Sequence, residues 1–462
     1  MSKTIPTNWA TTSFDEVFSQ ISTTGKKVKT GETQLQGKFP VVDQGRTFIS
    51  GYLNDESLVV SNDDPLIIFG DHTREIKWID FPFIPGADGV KILKTDDELN
   101  TRYIYYFLRN LPVESKGYAR HFKCLKEAVY LLPPLAEQTR IAQKLDELLA
   151  QVDTLKARID AIPALLKRFR QSVLAAAVSG RLTEEWRKEN SIRAKWTEDA
   201  IKASVVAERA ALGFKPIKTN VSPSTNRIEA PISWAWLKLS EVALKITDGA
   251  HNTPKIMAQG FPYITAKDLT GGTLNFTEGK FISEAEHREL YNKCSPKIGD
   301  LLIVNIGAGT GNSANVDVDF EFSFKNIAII KRPEIINPQY LKAFFDARKK
   351  TIFNEQTQGG AQPFLSLTML GNIEIVLPAP EEQTEIVRRV EQLFAFAEQL
   401  ERKVQSAKSR IDHLTQSILA KAFRGELVPQ DPNDEPASVL LARIQAQRAA
   451  APKAKRGRKA SA

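Results

Sequence analysis

The sequence contains few of the residues that form disulfide bonds or bind metal ions. It contains 2 cysteines and 5 histidines among 462 residues. Cys124 and Cys294 lie in unrelated contexts, which excludes a disulfide framework and a cysteine metal site. We expect both to be packed or free thiols. The histidines show no paired ligand spacing and no nucleophile partner, so we expect no metal site in this chain.

Long apolar runs are also lacking. No stretch approaches the roughly 20 residues that span a bilayer, and the first residues have no signal-peptide core. We therefore expect a cytoplasmic protein without membrane contact. A composition of 42% hydrophobic and 26% charged residues is typical of a soluble protein with two to four domains. The net charge of +8 favours a polyanionic partner, although part of it lies in the tail, 451–462.

The sequence does contain a long internal repeat. Segment 131–182 returns without a gap as segment 376–427. The matching groups are Leu132-Pro133 with Leu377-Pro378, Glu137-Gln138-Thr139 with Glu382-Gln383-Thr384, and Gly180 with Gly425. A gapless repeat of this length indicates a structural unit whose length is constrained.

The periodicity of the repeat predicts two long helices. Apolar residues of the first copy alternate spacings of four and three, which is a heptad pattern. They are Ile141, Leu145, Leu148, Val152, Leu155, Ile159, Ile162, Leu166, Phe169 and Val173. The second copy keeps this rhythm, so we expect an antiparallel pair roughly 60 Å long. Pro163 costs about 3 kcal/mol in a regular helix and predicts a kink or break.

A globular segment precedes each helix. The two begin alike, since Pro6 and Trp9 match Pro231 and Trp234, but their interiors diverge. The predicted fold class is α/β (α+β), with two globules per chain, a pair of long antiparallel coiled-coil helices between them, and an internal pseudo-two-fold repeat. The predicted domains are 1–131 (first globule), 132–225 (first long helix), 226–376 (second globule), 377–450 (second long helix) and 451–462 (a basic disordered tail).

The repeated motifs carry a resemblance to a known family. They are LPPLAEQ before a helix ending in LKRFRQSVLAAAVSGRLT, and later EIVRRVEQLF with LTQSILAKAFRGELV. They resemble the specificity subunit of a type I restriction-modification enzyme, in particular the subclass called type IA, over nearly the whole chain. The resemblance implies two target-recognition domains. Each would read one half of a split, asymmetric DNA sequence, and the helices would fix the gap between the halves.

The resemblance also implies the partners. They are double-stranded DNA, two methyltransferase subunits, and nuclease-translocase subunits that join through the methyltransferases. S-adenosylmethionine, ATP and magnesium chemistry would belong to those partners. We therefore expect this chain to be a non-catalytic subunit that binds no cofactor.

Candidate DNA-contacting residues lie in polar and basic loops of both globules. In the first globule they are Lys26, Lys27, His72, Arg74, Lys77, Arg120 and Lys123; in the second they are His251, Asn252, Lys255, Lys267, Gln358 and Gln362. Asn and Gln pair well with adenine and Arg with guanine, while Lys and Arg bind phosphates and fix the register on the duplex. These loops therefore have the chemistry that reading DNA requires.

One pattern favours a methyltransferase instead. The run LLIVNIGAGTG, 301–311, resembles a strand followed by the glycine loop of a cofactor site. No catalytic run typical of a DNA methyltransferase accompanies it, so we interpret it as a glycine-rich turn between strands.

A second pattern favours a nuclease. Asp64, Glu75 and Lys77 could mimic the Asp and Glu-x-Lys arrangement that holds magnesium against a phosphate. We interpret Glu75 and Lys77 as surface charges on a strand. The alternatives that stay open are a self-contained methyltransferase or nuclease, and a purely structural coiled-coil adaptor.

Overall fold

The chain forms two compact units in a computed structural model that describes residues 5–86, 89–114, 117, 119–190, 196–217, 228–250, 252–307, 309–356 and 364–450. Unit 1 comprises Met1–Asp160 and Val404–Ala462, and unit 2 comprises Ala161–Lys403. Each unit thus combines one globule with parts of both repeat copies. The predicted linear domain boundaries describe the order along the chain, whereas the packing joins distant segments.

The first globule is built around two small sheets. Its elements are β1 (Ala10–Thr12), α1 (Phe14–Val17), β2 (Phe18–Ile21), β3 (Phe39–Val42), β4 (Gly51–Leu53), β5 (Leu66–Gly70), β6 (Ile76–Ile79), β7 (Ile84–Pro85), β8 (Val90–Thr95), α2 (Thr101–Asn110), α3 (Phe122–Glu127) and β9 (Tyr130–Leu132). The strand orders are β2-β8-β5-β6 and β4-β3-β7, with a separate β1-β9 ribbon. β5 is buried on both faces, which explains why its sequence is uniformly apolar.

The first long helix is α4 (Leu135–Val178), followed by α5 (Glu184–Glu189) and α6 (Glu198–Ala211). The break expected at Pro163 does not occur, because α4 is helical on both sides of it. On either side of Pro163, Asp160 pairs with Lys408 at 2.6 Å, and Leu166 is buried at 6% exposed. Gly180 follows the helix with φ 76, a left-handed conformation that favours glycine at a helix end.

The second globule repeats the sheet topology of the first. Its elements are β10 (Ala235–Lys238), α7 (Leu239–Val242), β11 (Lys245–Asp248), β12 (Phe261–Thr265), β13 (Leu269–Thr270), β14 (Thr273–Leu274), β15 (Phe281–Ile282), α8 (Glu284–Cys294), β16 (Leu301–Val304), β17 (Ser313–Asn315), β18 (Ser323–Lys325), β19 (Ile327–Lys331), α9 (Pro338–Gln356), α10 (Leu367–Gly371) and β20 (Glu374–Leu377). The orders β11-β19-β16-β17 and β15-β12-β18 match those of the first globule strand for strand. Two interiors with divergent sequences therefore share one scaffold.

The second long helix is α11 (Pro380–Ala422), and α12 (Ala437–Ala450) follows it. Within each unit, segments of α4 and α11 run antiparallel, because rising residue numbers on one pair with falling numbers on the other. The pairs are Lys156–Asp412 and Asp160–Lys408 in unit 1, and Arg170–Glu401 in unit 2. Just beyond the end of α4, Arg389 donates to the Leu182 carbonyl, which continues the same antiparallel order. The predicted antiparallel pair is confirmed.

The heptad pattern identifies most, but not all, of the buried helix face. Ile141 and Leu145 are fully buried, but Leu155 is 47% exposed, and Leu149, outside the pattern, is 5% exposed. Near the globule the helix packs against a broad core, which demands a wider apolar face than a two-helix seam. Among the described residues, no helix combines membrane-spanning length with enough apolar character to cross a bilayer.

The short helices after the repeats have equivalent places in the two units. In unit 1, Leu440 and Ile444 of α12 are fully buried, and Arg448 donates to Asp96 at 2.9 Å. In unit 2, Val205 of α6 is fully buried, and Arg209 donates to the Ala243 carbonyl. The first globule therefore packs against α12, a helix that begins more than 300 residues later in the chain.

Candidate nucleic-acid interface

A buried glutamate joins the first globule to the start of α4. Glu137 is 1% exposed and accepts hydrogen bonds from Trp9 Nε1 at 3.0 Å and from Gln430 Nε2. Burial raises the pKa of Glu137 above its usual value, while the bonds from Trp9 and Gln430 oppose that rise. Both hydrogen-bond donors to Glu137 are neutral, and the nearby Arg140 is paired with Asp434 at 2.6 Å, so a carboxylate without a direct ion pair fixes the N-terminal end of α4.

Glu382 occupies the matching place at the start of α11. It is 1% exposed and accepts hydrogen bonds from Trp234 Nε1 at 2.9 Å and Thr183 Oγ1 at 2.7 Å. Here a cation is added, because Arg187 donates to Glu382 at 2.5 Å. Both glutamates accept a hydrogen bond from a tryptophan, but only Glu382 forms an ion pair.

The glutamine of the repeated motif binds the last long helix of each globule. Gln138 Oε1 accepts from the backbone N–H of Asn100 at 3.0 Å, and Asn100 caps α2. Gln383 Oε1 accepts from the backbone N–H of Asn337 at 2.7 Å, just before α9. The Glu-Gln motif therefore works inside each unit, where it fixes the globule on the long helix.

The loops of the first globule meet around a buried aspartate. Asp71 is 2% exposed; its Oδ1 accepts from the Phe122 N–H and its carbonyl from the His121 N–H, both at 2.8 Å. The neighbouring His72 N–H donates to Gln44 Oε1 at 3.0 Å. The loops after β3 and β5 and the segment before α3 are thereby brought together on one surface.

Most of the predicted residues of the first globule lie on this loop surface. Arg74 is exposed, adopts φ 64, and donates to the Val113 carbonyl at 2.9 Å. Arg120 is exposed beside His121, and Lys123 is exposed with Glu127 at 3.4 Å. The structure therefore brings together the predicted residues His72, Arg74, Arg120 and Lys123.

Lys26 and Lys27 lie on a neighbouring segment. Lys26 donates to the Val59 carbonyl at 2.6 Å, and Lys27 is exposed. Val28 next to them forms a bridge with Gly86, which approaches Asp43 closely. Their contact with DNA stays a prediction.

Lys77 is a correction to the sequence analysis. It is 5% exposed rather than a surface charge, and its ammonium donates to the carbonyls of Asp43 at 2.8 Å and Thr47 at 2.7 Å. Burial lowers the pKa of Lys77, and the Asp43 carboxylate opposes this. Because its donors are used inside the globule, Lys77 is removed from the set of DNA-contacting candidates.

The polar loop of the second globule is held between a strand and a helix. The Ala250 N–H donates to the Phe324 carbonyl at 2.9 Å, and the Lys255 N–H donates to Glu286 Oε1 at 3.1 Å. Asn252 and Lys255 are both exposed, and Asn252 borders a groove of about 430 Å³. The predicted residues Asn252 and Lys255 thus share one loop, and Lys267 is exposed on the turn after β12.

Three predicted residues lie outside the described part of the chain. They are His251, Gln358 and Gln362. Their proposed contacts with DNA stay predictions.

The glycine pattern is a turn, as the sequence analysis interprets it. Gly307, Gly309 and Gly311 have φ of 95, 95 and 85 and join β16 to β17, which pair antiparallel. The loop of a nucleotide-binding unit instead leads from a strand into a helix. This segment therefore gives no support to a methyltransferase cofactor site.

The nuclease-like carboxylates lie at opposite ends of one hairpin, because Asp64 precedes β5, Glu75 precedes β6, and these strands pair antiparallel with Leu66 opposite Ile79. Asp64 lies 3.8 Å from Lys94, and Glu75 lies 3.9 Å from Arg46. Within the described residues, no group of three His, Cys, Asp or Glu side chains could hold a metal ion. The Lys77 ammonium donates its hydrogen bonds to carbonyls of the turn after β3. Asp64, Glu75 and Lys77 therefore do not form the nuclease-like site.

Comparison with known proteins identifies the family. A family model for the type I restriction modification DNA specificity domain matches residues 6–164 and 231–407, more than half of the chain. The chain belongs to this family. Each match of the specificity domain includes one globule and continues into the long helix that follows it. The predicted specificity subunit, with two globules and long helices, is confirmed.

The relatives share most of the length of this specificity subunit. It is 32% identical to the type I restriction enzyme EcoBI specificity subunit of Escherichia coli over 434 residues, covering 89% of this chain and 85% of the relative. It is 29% identical to the EcoKI specificity subunit of Escherichia coli (strain K12), covering 92% and 89%. A solved structure from a study of complex assembly and conformational transition of the type I R-M system covers 92% of this chain and 100% of that chain, at TM-score 0.55 and 16% identity. That likeness supports the fold.

The sequence analysis of this specificity subunit missed the turn after β3. Arg46 on this turn is 95% exposed, and Gln44 is bonded to the His72 N–H. A polar Asp-Gln-Gly-Arg run directly after the apolar β3 was the available signal, because such runs form turns.

Proposed function

We propose that this chain is the non-catalytic subunit that selects DNA for a type I restriction-modification complex. Each globule reads one block of a split, asymmetric target, and α4 and α11 set the gap between the blocks. The observation that carries the proposal is one strand order in both globules combined with different loops. A common scaffold with unlike loops is what two readers of unlike half-sites require.

The chemistry of methylation and cleavage is assigned to partners. We propose that two methyltransferase subunits bind this chain and that nuclease-translocase subunits join through them, acting on DNA in the cytoplasm. S-adenosylmethionine, ATP and magnesium would be bound by those subunits. The hairpin turn at Gly307–Gly311 and the internal bonds of Lys77 support the absence of chemistry at the two enzyme-like patterns.

The test is selection of DNA by the full chain assembled with its methyltransferase subunits. Random duplexes are enriched at a stated salt concentration and sequenced, because phosphate binding depends strongly on salt. The expected result is two short specific blocks around a fixed unspecified gap. Replacing residues 1–131 by the first globule of a relative is expected to change one block and leave the other intact.

A continuous motif would contradict two separate readers. Binding without sequence preference would favour the structural coiled-coil adaptor. Methyl transfer by this chain without partners would favour the enzyme alternative. The partner-free chain incubated with S-adenosylmethionine and DNA is the matched control for that outcome.

A further inference from the structure

The turn Asp43–Phe48 is fixed by a buried cation. It follows β3, and the Gly45 N–H donates to Asp43 Oδ1 at 2.8 Å. The Lys77 ammonium donates to the Asp43 carbonyl at 2.8 Å and to the Thr47 carbonyl at 2.7 Å. A single side chain on β6 thus holds both ends of the turn, which limits its conformational freedom.

The tip of the turn is exposed although its base is buried. Arg46 is 95% exposed, and its Nε lies 3.9 Å from Glu75 Oε1, a pair of little energetic weight at the surface. Phe48 is 45% exposed, and its ring meets that of Phe81 edge-on at 6.0 Å. Arginine reads guanine, threonine reads several bases, and phenylalanine contacts the thymine methyl group. Arg46, Thr47 and Phe48 therefore present base-reading chemistry on a rigid base.

The loop beside this turn presents an exposed arginine. Gln44 of the turn accepts from the His72 N–H, and Thr73 Oγ1 donates to the Gln44 carbonyl at 2.5 Å. Arg74 follows on the same loop and is exposed. The turn thus lies next to residues suited to phosphate contacts, which bring a reading side chain into register with a groove.

The second globule has a hydrogen-bonded turn at the equivalent position of its sheet. The turn Ala266–Asp268 follows β12, the equivalent of β3. Asn312, directly before β17, donates to the carbonyl of Leu269, the first residue after this turn, at 3.2 Å; Lys77 of the equivalent strand β6 donates to the turn after β3 itself. Lys267 is the exposed residue on the turn. The position of the turn is preserved while its side chains differ.

We propose that the turn Asp43–Phe48 is a base-reading element of the first globule, with Arg46 as a specificity-determining residue and Lys77 as its positioning residue. This inference rests on the proposed function and deepens it. Arg46 contacts a base edge through its planar fork, and Lys77 acts only through the turn.

The experiment uses the selection assay on the assembled complex with three variants. Arg46→Ala removes the side chain, and Arg46→Lys keeps the charge but loses the two-pronged donor geometry. Lys38→Ala is the matched control, because Lys38 is also exposed and 3.5 Å from a glutamate but precedes β3, at the opposite end of the strand from the turn.

Both Arg46 variants are expected to lose preference at one base pair of one block, by about ten- to a hundred-fold. The other block and the Lys38→Ala motif should stay unchanged. If Arg46→Lys keeps the wild-type motif, or if Arg46→Ala weakens all duplexes equally with a shallower salt dependence, Arg46 is at most a phosphate contact and the inference fails. A wild-type complex that selects no split motif overturns the proposed function itself.

Lys77→Met tests the positioning role. It keeps the apolar stem and removes the ammonium, so it should reduce preference at the same base pair as Arg46→Ala. The double variant should lose little more than Arg46→Ala alone, because the two residues act through one contact. If Lys77→Met lowers thermal stability and overall affinity but retains that base preference, its role is structural only.

Discussion

At the scale of single residues, the two repeat glutamates show how a duplicated motif acquires different energetics. Glu382 faces Arg187, which is 17% exposed, whereas Glu137 faces the neutral groups of Trp9 and Gln430. Removing one partner of a buried ion pair leaves an uncompensated charge, which is costlier than losing one neutral hydrogen bond.

The matched variants Glu382→Gln and Glu137→Gln are therefore expected to differ. Glu382→Gln should lower the free energy of unfolding by about 3 kcal/mol, because the partly buried Arg187 loses the carboxylate that neutralises it. Glu137→Gln should lower it by about 1 kcal/mol or less, because an amide oxygen can still accept from Trp9. Urea unfolding of the full chain measures both, and equal losses would contradict the difference in charge balance.

Acid stability is expected to depend on Glu16. Hydrogen bonds from Thr12 and from Gln445 of α12 lower the pKa of Glu16 to about 2. A carboxyl group with a lowered folded pKa stabilises the protein above its unfolded pKa, near 4.5, and loses that contribution as the pH falls toward 2. Glu16→Gln should flatten the loss of stability below pH 4.5, measured by urea unfolding at several pH values. An unchanged slope would show that these bonds are not made in solution.

The amino-acid composition of the loops predicted which loops form the exposed surface, but it did not predict the contacts of individual residues. His72, Arg74 and Arg120 lie on loops that Asp71 brings together, and exposed basic loops can be recognised from composition alone. Lys77 could not be placed, because a lysine on a short strand looks exposed until the turn that covers it is known. Arg46 was missed for the complementary reason, since its turn has no length or charge that distinguishes it from other turns.

At the scale of elements, α12 is the clearest case of a segment whose role depends on distant partners. Leu440 is fully buried in unit 1, whereas its neighbour Val439 is 48% exposed. The helix begins where the Ala437 N–H donates to the Asn8 carbonyl at 3.0 Å. Its apolar face therefore completes the core of the first globule.

Leu440→Ala is expected to lower the free energy of unfolding of unit 1 by about 3 kcal/mol, because it leaves a cavity in a filled core. Val439→Ala on the same helix is the control and should change it by about 0.5 kcal/mol or less. Hydrogen exchange of the β1 amides, against which α12 packs, should accelerate only in the Leu440 variant. Equal effects of the two substitutions would show that α12 is not docked as described.

The elements were predictable where local periodicity is strong. The long helices and their antiparallel pairing follow from the heptads and the gapless repeat. The identical strand order of the two globules could not be predicted from the sequence. A short strand requires apolar residues at its buried positions but not particular residue types, and the two interiors share few residues. Continuity through Pro163 depends on packing that a propensity argument does not contain.

At the scale of the whole molecule, α4 and α11 are the chain segments that pass from one unit into the other, since the boundaries fall after Asp160 and after Lys403. Helix length is thus the variable that should set the gap between the two DNA blocks. A change that preserves the heptad phase can alter this length without changing either globule.

One added heptad after Asp160 and one after Lys403 should lengthen the gap in the selected motif. Seven residues add about 10 Å of helix, which corresponds to about three base pairs at 3.4 Å each. Sequencing of selected duplexes measures the gap, and the unchanged block sequences serve as the internal control. A gap that keeps its wild-type length would exclude the helices as the spacer.

The discontinuity of unit 1 has a consequence for how the protein is made. A ribosome that has finished the first globule must still add about 300 residues before α12 emerges, which takes roughly 15 to 60 s at typical elongation rates. Unit 2 is continuous in sequence and can fold during that interval. Until then the apolar surface that α12 covers stays exposed, so we expect the first globule to need chaperone protection during synthesis.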